Sequence, residues 1–298
     1  MIKILNSKQF KNILFSLCIL GFLFLIFNFC DAAVLYLSPS SGEYNRGDIF
    51  IVEARLDTQG EYINAIEANL NFPSDILKIQ NLSQGNSILT LWIKEPSFSN
   101  NTISFIGGTP AGYQGPDGLM VKIVFQVQEQ AKGSVKINFQ DDSKVLLNDG
   151  KGTEAKLSTK GGSFNILAKR LEVPKDQWQK ELEQDKIAPL PFKIEISQNP
   201  AILEGKYFIT FSTTDKETGI DYFEVKEGKM DWGKVVSPYV LNNQELTDDI
   251  WVKAIDKAGN EWIEILKAPK KPIWEYVLYG GLVLILLSGI IILVRKLL

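Results

Sequence analysis

The chain has 298 residues and a formal net charge of −3 at pH 7, with 45% hydrophobic and 22% charged residues. This composition suits a globular protein with a buried core and lacks the basic excess of a nucleic-acid-binding protein. It contains no His and only two Cys, Cys18 and Cys30. The missing His excludes Ser-His-Asp catalysis, and a chain without residues 1–33 would also lack Cys nucleophiles and zinc sites with nitrogen and sulfur ligands.

Residues 1–33 have the pattern of a signal peptide. Three Lys residues precede an apolar run from Ile13 to Phe27, and the small residues Ala32 and Ala33 follow it. A basic start, an apolar centre and a small-residue cleavage site are typical of secretion signals. The pattern predicts export of the remainder, with an uncleaved N-terminal anchor as the alternative.

The region 34–168 has the pattern of an all-β domain. Short segments that alternate apolar and polar residues are separated by clusters of Gly, Pro, Asn and Asp, including "GGTPAGYQGPDG" at 107–118. Many short strands with turns between them predict an antiparallel β-sandwich. The alternating segments are "DIFIVEARLD" (48–57), "NTISFIG" (101–107), "LMVKIVFQVQ" (119–128) and "SVKINFQ" (134–140).

The segment "INAIEANLNF" (63–72) has the clearest period-2 pattern in this region. Successive side chains of a strand point to opposite faces, so its apolar and polar residues separate completely. The predicted inward residues are Ile66, Ala68, Leu70 and Phe72, and the predicted outward residues are Glu67, Asn69 and Asn71.

A second β unit follows a charged segment. Residues 169–190, "KRLEVPKDQWQKELEQDKIAPL", predict a linker or a short helix after Pro174. Residues 191–269 then contain further alternating segments, among them "GKYFITFSTTD" and "DIWVKAIDKAGNEWIEIL". Their length suits a small immunoglobulin-like sandwich.

The C-terminal region predicts a transmembrane helix at 274–295. Residues 276–294 carry no charge and are followed by Arg295 and Lys296. Such a stretch is long enough to span a bilayer, and the basic pair suits the cytoplasmic side. We therefore expect a single-pass protein of the cell membrane with its bulk outside the cell and its C-terminus in the cytoplasm. That bulk, residues 34–275, has 27 basic and 34 acidic residues.

The region 34–168 resembles a cohesin domain. The resemblance is carried by four segments: "YNRGDIFIVEARLDT", "INAIEANLNFPSDILKI", "PDGLMVKIVFQV" and "SKVLLNDGKGTE". It implies a nine-stranded jelly-roll sandwich that binds a dockerin domain, often one carried by a polysaccharide-degrading enzyme. It also implies that the outward face of the strand with Glu67, Asn69 and Asn71 meets the partner; the alternative is an ordinary solvated face, which antiparallel sheets commonly have. Ala65 stands where type I cohesins carry Asn, which argues against type I specificity.

Three further residues are predicted at this partner-binding surface. The resemblance places Ile106 on the neighbouring strand and Thr109 in the loop that follows it. Trp92, opposite in phase to Leu91 and Ile93, is predicted as an aromatic anchor, with packing into the core as the alternative.

The region 191–269 resembles bacterial immunoglobulin-like spacer domains, through "TTDKETGIDYFEV" and "VKAIDKAGNEW". We expect no cofactor, but two groups of acidic loop residues leave Ca²⁺ open, because carboxylates are its preferred ligands. The first group is Asp215, Asp221 and Asp256, and the second is Asp141, Asp142 and Asp149.

The sequence therefore favours a non-enzymatic, membrane-anchored docking protein. A carbohydrate-binding surface protein is the main alternative, because the cohesin fold is related to that of carbohydrate-binding modules of families 2 and 3. A purely structural stalk is the third.

Overall fold

The computed structural model describes residues 32–269 and residue 286. The chain divides after Gln184 into two compact units. The all-β prediction is confirmed, since strands dominate both units. Within the described residues no helix is both long and apolar enough to cross a membrane. Most of the predicted signal peptide (1–33) and of the predicted transmembrane helix (274–295) lies outside the described residues.

The first unit contains twelve strands. In chain order they are β1 (Ala33–Ser38), β2 (Ser41–Arg46), β3 (Ile49–Asp57), β4 (Ile63–Asn71), β5 (Leu77–Ser83), β6 (Leu91–Ser99), β7 (Thr102–Tyr113), β8 (Gly118–Val127), β9 (Gly133–Phe139), β10 (Lys144–Leu147), β11 (Leu157–Lys160) and β12 (Gly162–Arg170). A five-stranded sheet has the order β11-β1-β3-β8-β5. A seven-stranded sheet has the order β2-β12-β9-β4-β7-β6, and β10 pairs with β4. All pairs are antiparallel except β1 with β11 and β12 with β2.

Aromatic rings join the two sheets in the core of the first unit. Phe50 of β3 lies 5.7 Å from both Phe125 of β8 and Phe164 of β12, measured between ring centroids. Phe72, which directly follows β4, lies 5.5 Å from Phe125. All four side chains are at most 2% exposed. The alternating patterns of these strands therefore place their apolar side chains between the sheets, as predicted.

Strand β7 is longer than the sequence pattern predicts. The segment "GGTPAGY" (107–113), which we expected to form turns, continues the strand to Tyr113. The register with β4 shifts, so that Ile63 pairs with Tyr113 but Ala65 pairs with Gly108. Extra residues on one strand form a bulge, and Gly residues are common at such irregularities.

A helix, α1 (Gln177–Gln184), covers part of the five-stranded sheet. Trp178 is 8% exposed and packs against Ile51 and Val124, on the side of the sheet opposite the main core. The Lys122 ammonium group lies 2.8 Å from the Glu181 carboxylate. The sequence of the segment 169–190 predicts a linker or a short helix after Pro174, and the structure contains the helix. The segment's residues up to Gln184 belong to the first unit, and its residues from Asp185 belong to the second.

The second unit has two small antiparallel sheets, β13-β14-β17 and β16-β15-β18-β19. Its buried core consists of Ile209, Phe211, Val225, Leu241, Ile250 and Val252. A short 3-10 turn spans Leu203–Gly205. The strands are β13 (Glu195–Gln198), β14 (Tyr207–Thr210), β15 (Ile220–Glu227), β16 (Gly233–Val235), β17 (Tyr239–Val240), β18 (Ile250–Asp256) and β19 (Glu261–Leu266).

The carboxylate of Glu227 holds a loop of the second unit in place. It accepts hydrogen bonds from the Tyr239 hydroxyl (2.9 Å) and from the backbone amides of Asn242 (3.0 Å) and Asn243 (2.9 Å). Burial by itself raises the pKa of Glu227, but these hydrogen bonds outweigh it and bring the pKa below the ordinary value of 4.5. The ionised form is therefore the one that the fold stabilises.

We expect Trp178→Ala to lower the free energy of unfolding of the first unit by about 3 kcal/mol, because it removes a large buried ring. Denaturation of the full chain in urea, followed by circular dichroism, measures the change. Trp262→Ala is the matched control: Trp262 is 36% exposed on the edge strand β19, and its removal should cost less than about 1 kcal/mol. Equal effects of the two substitutions would contradict the packing of α1 on the sheet.

We expect the second unit to lose stability on acidification as Glu227 becomes protonated. Because the folded pKa is depressed, this contribution is fully present above the ordinary value of 4.5 and is lost as the pH falls through the lower folded pKa. Glu227→Gln should destabilise the unit by about 1.5 to 3 kcal/mol at neutral pH and flatten its stability profile below pH 4.5. Melting curves between neutral and acidic pH test this, and an unchanged acid profile in Glu227→Gln would contradict it.

Candidate functional site

Strand β4 separates apolar and polar side chains between its two faces. Ile66, Ala68 and Leu70 are at most 1% exposed and lie in the core. Glu67 and Asn69 are half-buried and Asn71 is exposed on the other side. The predicted outward residues therefore share one surface of the seven-stranded sheet.

The strands beside β4 extend this surface, because residues paired across an antiparallel ladder lie on the same face. Glu67 lies between Ile106 of β7 and Lys144 of β10, and Ile106 pairs with Lys94 of β6. In the next row Asn69 pairs with Ser104. We call this surface the outer face and define it by Glu67, Asn69, Asn71, Lys94, Ser104 and Ile106.

The polar side chains of β4 have unused hydrogen-bonding capacity. Within residues 32–269, the side chains of Glu67, Asn69 and Asn71 form no hydrogen bond or ion pair with the protein. The two Lys residues nearby have other partners: Lys94 donates to the Ser104 hydroxyl (2.6 Å), and the Lys144 ammonium lies 3.5 Å from Glu154. Glu67, Asn69 and Asn71 can therefore bond to water or to another molecule.

Exposed apolar side chains flank the outer face on the edge strand β6. Leu91 is 55% exposed and Ile93 is 72% exposed. The register between β6 and β7 shifts between Trp92 and Lys94, which leaves Ile93 without a directly paired residue. Both residues were missed as site candidates from the sequence, because Trp92 was predicted to face the partner and Leu91 and Ile93 are opposite to it in phase.

Trp92 does not lie on the outer face, contrary to its prediction as a partner-facing anchor. It pairs with Gly107, which pairs in turn with the buried Ile66, and so it lies on the core side. Its ring packs edge-on against Phe105, with centroids 6.2 Å apart and an interplanar angle of 72°. A Cβ at position 107 would lie 3.2 Å from the Trp92 ring, so Gly107 provides the room for it.

Thr109 is also misplaced by the prediction. It lies within β7 rather than in a loop, and it is only 8% exposed. Ile106 does lie on the outer face, next to Glu67, as the resemblance implied. Four of the six predicted residues therefore lie on the outer face. Of the other two, Thr109 is buried within β7 and Trp92 lies on the core side of the sheet.

The two acidic loop groups have different outcomes. The described residues contain a single group of at least three acidic residues whose ligand atoms lie within 4.8 Å of one another: Asp185, Asp215 and Asp256. It includes two residues of the first predicted group, but Asp221 is exposed and pairs with Lys257 at 3.9 Å. The second predicted group, Asp141, Asp142 and Asp149, does not come together in this way.

The first unit is thus an all-β sandwich with a polar, partly unsatisfied face on one sheet. No family model and no curated protein matches the chain. Among the solved structures to which it is similar are cohesin modules, the family that its sequence resembles. A non-cellulosomal cohesin from Archaeoglobus fulgidus is 20% identical, covering 46% of this chain and 92% of that one, with a TM-score of 0.39.

Two cohesins from clostridia give similar values. The cohesin CaCohA2 from Clostridium acetobutylicum is 16% identical, with a TM-score of 0.39, and the match covers 47% of this chain and 94% of that chain. The type I complex of a cohesin of OlpA with a dockerin from Clostridium thermocellum is 19% identical, with a TM-score of 0.38, over 46% of this chain and 100% of that one.

Proposed function

We propose that the first unit is a non-enzymatic docking module whose outer face binds a dockerin-type protein domain. The observation that carries this proposal is the set of polar side chains on β4 without partners in the described protein, next to the exposed Leu91 and Ile93. Unpaired donors and acceptors around exposed apolar side chains are what a protein interface needs, because the apolar part supplies burial and the polar part supplies hydrogen bonds.

The class of partner is inferred from the sequence segments of 34–168 that resemble cohesins. In that family the outward face of the strand corresponding to β4 meets the dockerin. Ala65 stands where type I cohesins carry Asn, whereas Glu67 keeps a hydrogen-bond acceptor. We therefore infer a partner other than a type I dockerin. From the cohesin resemblance alone we further infer that an enzyme acting on polysaccharides carries this dockerin.

Direct binding of sugar is less well supported. Sugar-binding sheets present aromatic rings on which sugar rings stack, but the outer-face positions of β4, β6 and β7 carry none. Trp92 packs against Phe105, and Phe98 pairs with the buried Ile103 and so lies on the other side of the sheet. This distribution of aromatic residues favours a protein partner over a polysaccharide.

We further propose that the chain displays this module at the cell surface. The support is the signal-peptide pattern of 1–33 and the uncharged stretch 276–294 with Arg295 and Lys296 after it. The second unit would then act as a spacer between the docking module and the membrane.

We expect Glu67→Arg to weaken binding of a dockerin encoded by the same organism by at least about 30-fold, because it replaces an acceptor with a larger cationic side chain inside the interface. Asn69→Ala and Ile106→Ala should weaken it less. Isothermal titration of the purified full chain with recombinant dockerin domains measures these changes. If all three variants bind as tightly as the unmodified chain, the docking face lies elsewhere.

Two controls separate binding from folding. Asp75→Arg makes the same charge reversal at an exposed position in the turn after β4 and should leave both binding and melting unchanged. Leu70→Arg places a charge at a fully buried position and should unfold the first unit. Binding of soluble polysaccharide, with no response to any dockerin, would replace the docking function with the carbohydrate-binding alternative.

We expect protease added to intact cells to digest residues 34–270 and to leave a C-terminal fragment in the membrane fraction. A chain truncated after Ala268 should instead appear in the medium, because it lacks the apolar stretch 276–294. Complete protection of the chain from protease, or retention of the truncated chain in the membrane, would contradict this topology.

A further inference from the structure

Three carboxylates meet inside the second unit. Asp185 is its first residue, Asp215 follows β14, and Asp256 is the last residue of β18. They are 1%, 2% and 1% exposed, respectively, and their oxygens lie within 4.8 Å of one another. Carboxylates so deeply buried are rare unless a charge or several hydrogen bonds compensate them.

Backbone amides hold two of these carboxylates in the same way. Asp215 Oδ2 accepts from the amides two and four residues on, those of Glu217 and Gly219, both at 2.8 Å. Asp256 Oδ1 likewise accepts from the amides two and four residues on, at 2.9 and 2.8 Å. Gly219 has a φ of +85°, a left-handed conformation that favours glycine. In both loops backbone amides thus bind one carboxylate oxygen and leave the other oxygen without a backbone donor.

The second oxygen of Asp215 has no partner. Asp215 Oδ1 is the one fully buried side-chain oxygen or nitrogen in residues 32–269 that lacks a hydrogen bond. By contrast, Asp256 Oδ2 accepts from the Asn260 side chain at 2.9 Å, and Asp185 Oδ2 accepts from the Thr218 amide and hydroxyl. A buried carboxylate oxygen without a hydrogen bond is costly, so this atom offers a binding position that no described residue fills.

The electrostatics of the cluster favour a cation. The hydrogen-bond donors to the three carboxylates are neutral amides and one hydroxyl. The three carboxylates lie so close together that their ionised forms repel one another. A divalent cation would offset this repulsion. Two oxygens on one Ca²⁺ ion, each about 2.3 to 2.6 Å away, are at most about 5 Å apart, and the cluster meets this limit.

We propose that Asp185, Asp215 and Asp256 bind a Ca²⁺ ion in the second unit. Carboxylate oxygens are hard ligands that suit Ca²⁺, which also accepts waters and carbonyl oxygens to complete six to eight ligands. The ion joins three segments that are far apart in sequence: the start of the unit, the loop at 215–219 and the loop at 256–260. This site is independent of the outer face and of dockerin binding.

The test compares the full chain, freed of metal with a chelator, with the same chain titrated with Ca²⁺. Calcium up to about 10 mM exceeds the dissociation constants of weak extracellular calcium sites. At about 100 times the dissociation constant, it should raise one melting transition by roughly 10 to 20 °C. Titration calorimetry on the unmodified chain measures binding directly, whatever the variants do.

Asp215→Asn removes the unpaired oxygen with almost no change in shape. We expect it to weaken Ca²⁺ binding at least about tenfold and to abolish the calcium-dependent rise in melting temperature. Without calcium the variant should be at least as stable as the unmodified chain, because the new amide can donate to the neighbouring carboxylates. Asp221→Asn is the matched control, since this exposed acid lies outside the cluster, and it should keep the full response to calcium.

Three results would overturn the proposal. The first is an unmodified chain that neither binds Ca²⁺ nor melts at a higher temperature in its presence. The second is an equal calcium response in Asp215→Asn, which would place the ion elsewhere. The third is stabilisation by Mg²⁺ but not by Ca²⁺, because Mg²⁺ demands a tighter octahedral arrangement.

Discussion

The packing of aromatic rings between the two sheets of the first unit is the interaction on which the rest of that unit depends. The ring centroid of Phe50 lies 5.7 Å from those of both Phe125 and Phe164. The Tyr44 ring stacks on the Phe50 ring with 3.9 Å between centroids. Because side chains alternate along a strand, a slip of one residue would turn the whole apolar set outward. The core therefore fixes the register, and the register decides which polar residues reach the outer face.

Periodicity made most of this arrangement predictable. The segment 63–72 places its apolar residues in the core and Glu67, Asn69 and Asn71 outside, because β4 is regular from Ala65 to Asn71. Trp92 could not be placed in this way. Its strand contains two register shifts, and a period-2 argument fails once an extra residue enters the ladder. A separate register shift, between β4 and β7, explains Thr109, because a Gly-rich segment fits both a turn and a bulged strand.

The carboxylate cluster shows a different limit of sequence reasoning. Asp215 and Asp256 were candidates from the sequence because both are acidic residues in loop segments. The structure adds that their two loops are similar, since each carboxylate accepts from the amides two and four residues on. Asp185 lies 30 residues before Asp215, in a segment whose charged composition predicts a linker. Only folding brings Asp185 close to Asp215 and Asp256. No local sequence pattern could therefore have identified Asp185, instead of Asp221, as the third residue of the cluster.

The two candidate sites contain the same chemical group in opposite surroundings. Glu67 on the outer face has no partner in the described protein, yet it is half-buried at most and water can satisfy it. The unpaired Glu67 carboxylate therefore destabilises the unbound domain little, and it contributes to binding only when a partner displaces that water. Asp215 Oδ1 is buried and unpaired, so water at the surface cannot satisfy it and the cost falls on folding itself. An unpaired group on a surface is thus available to an interface that forms later, whereas the same group in a core points to a ligand that stabilises the fold. For this reason a dockerin should change the melting of the second unit little, and calcium should change it strongly.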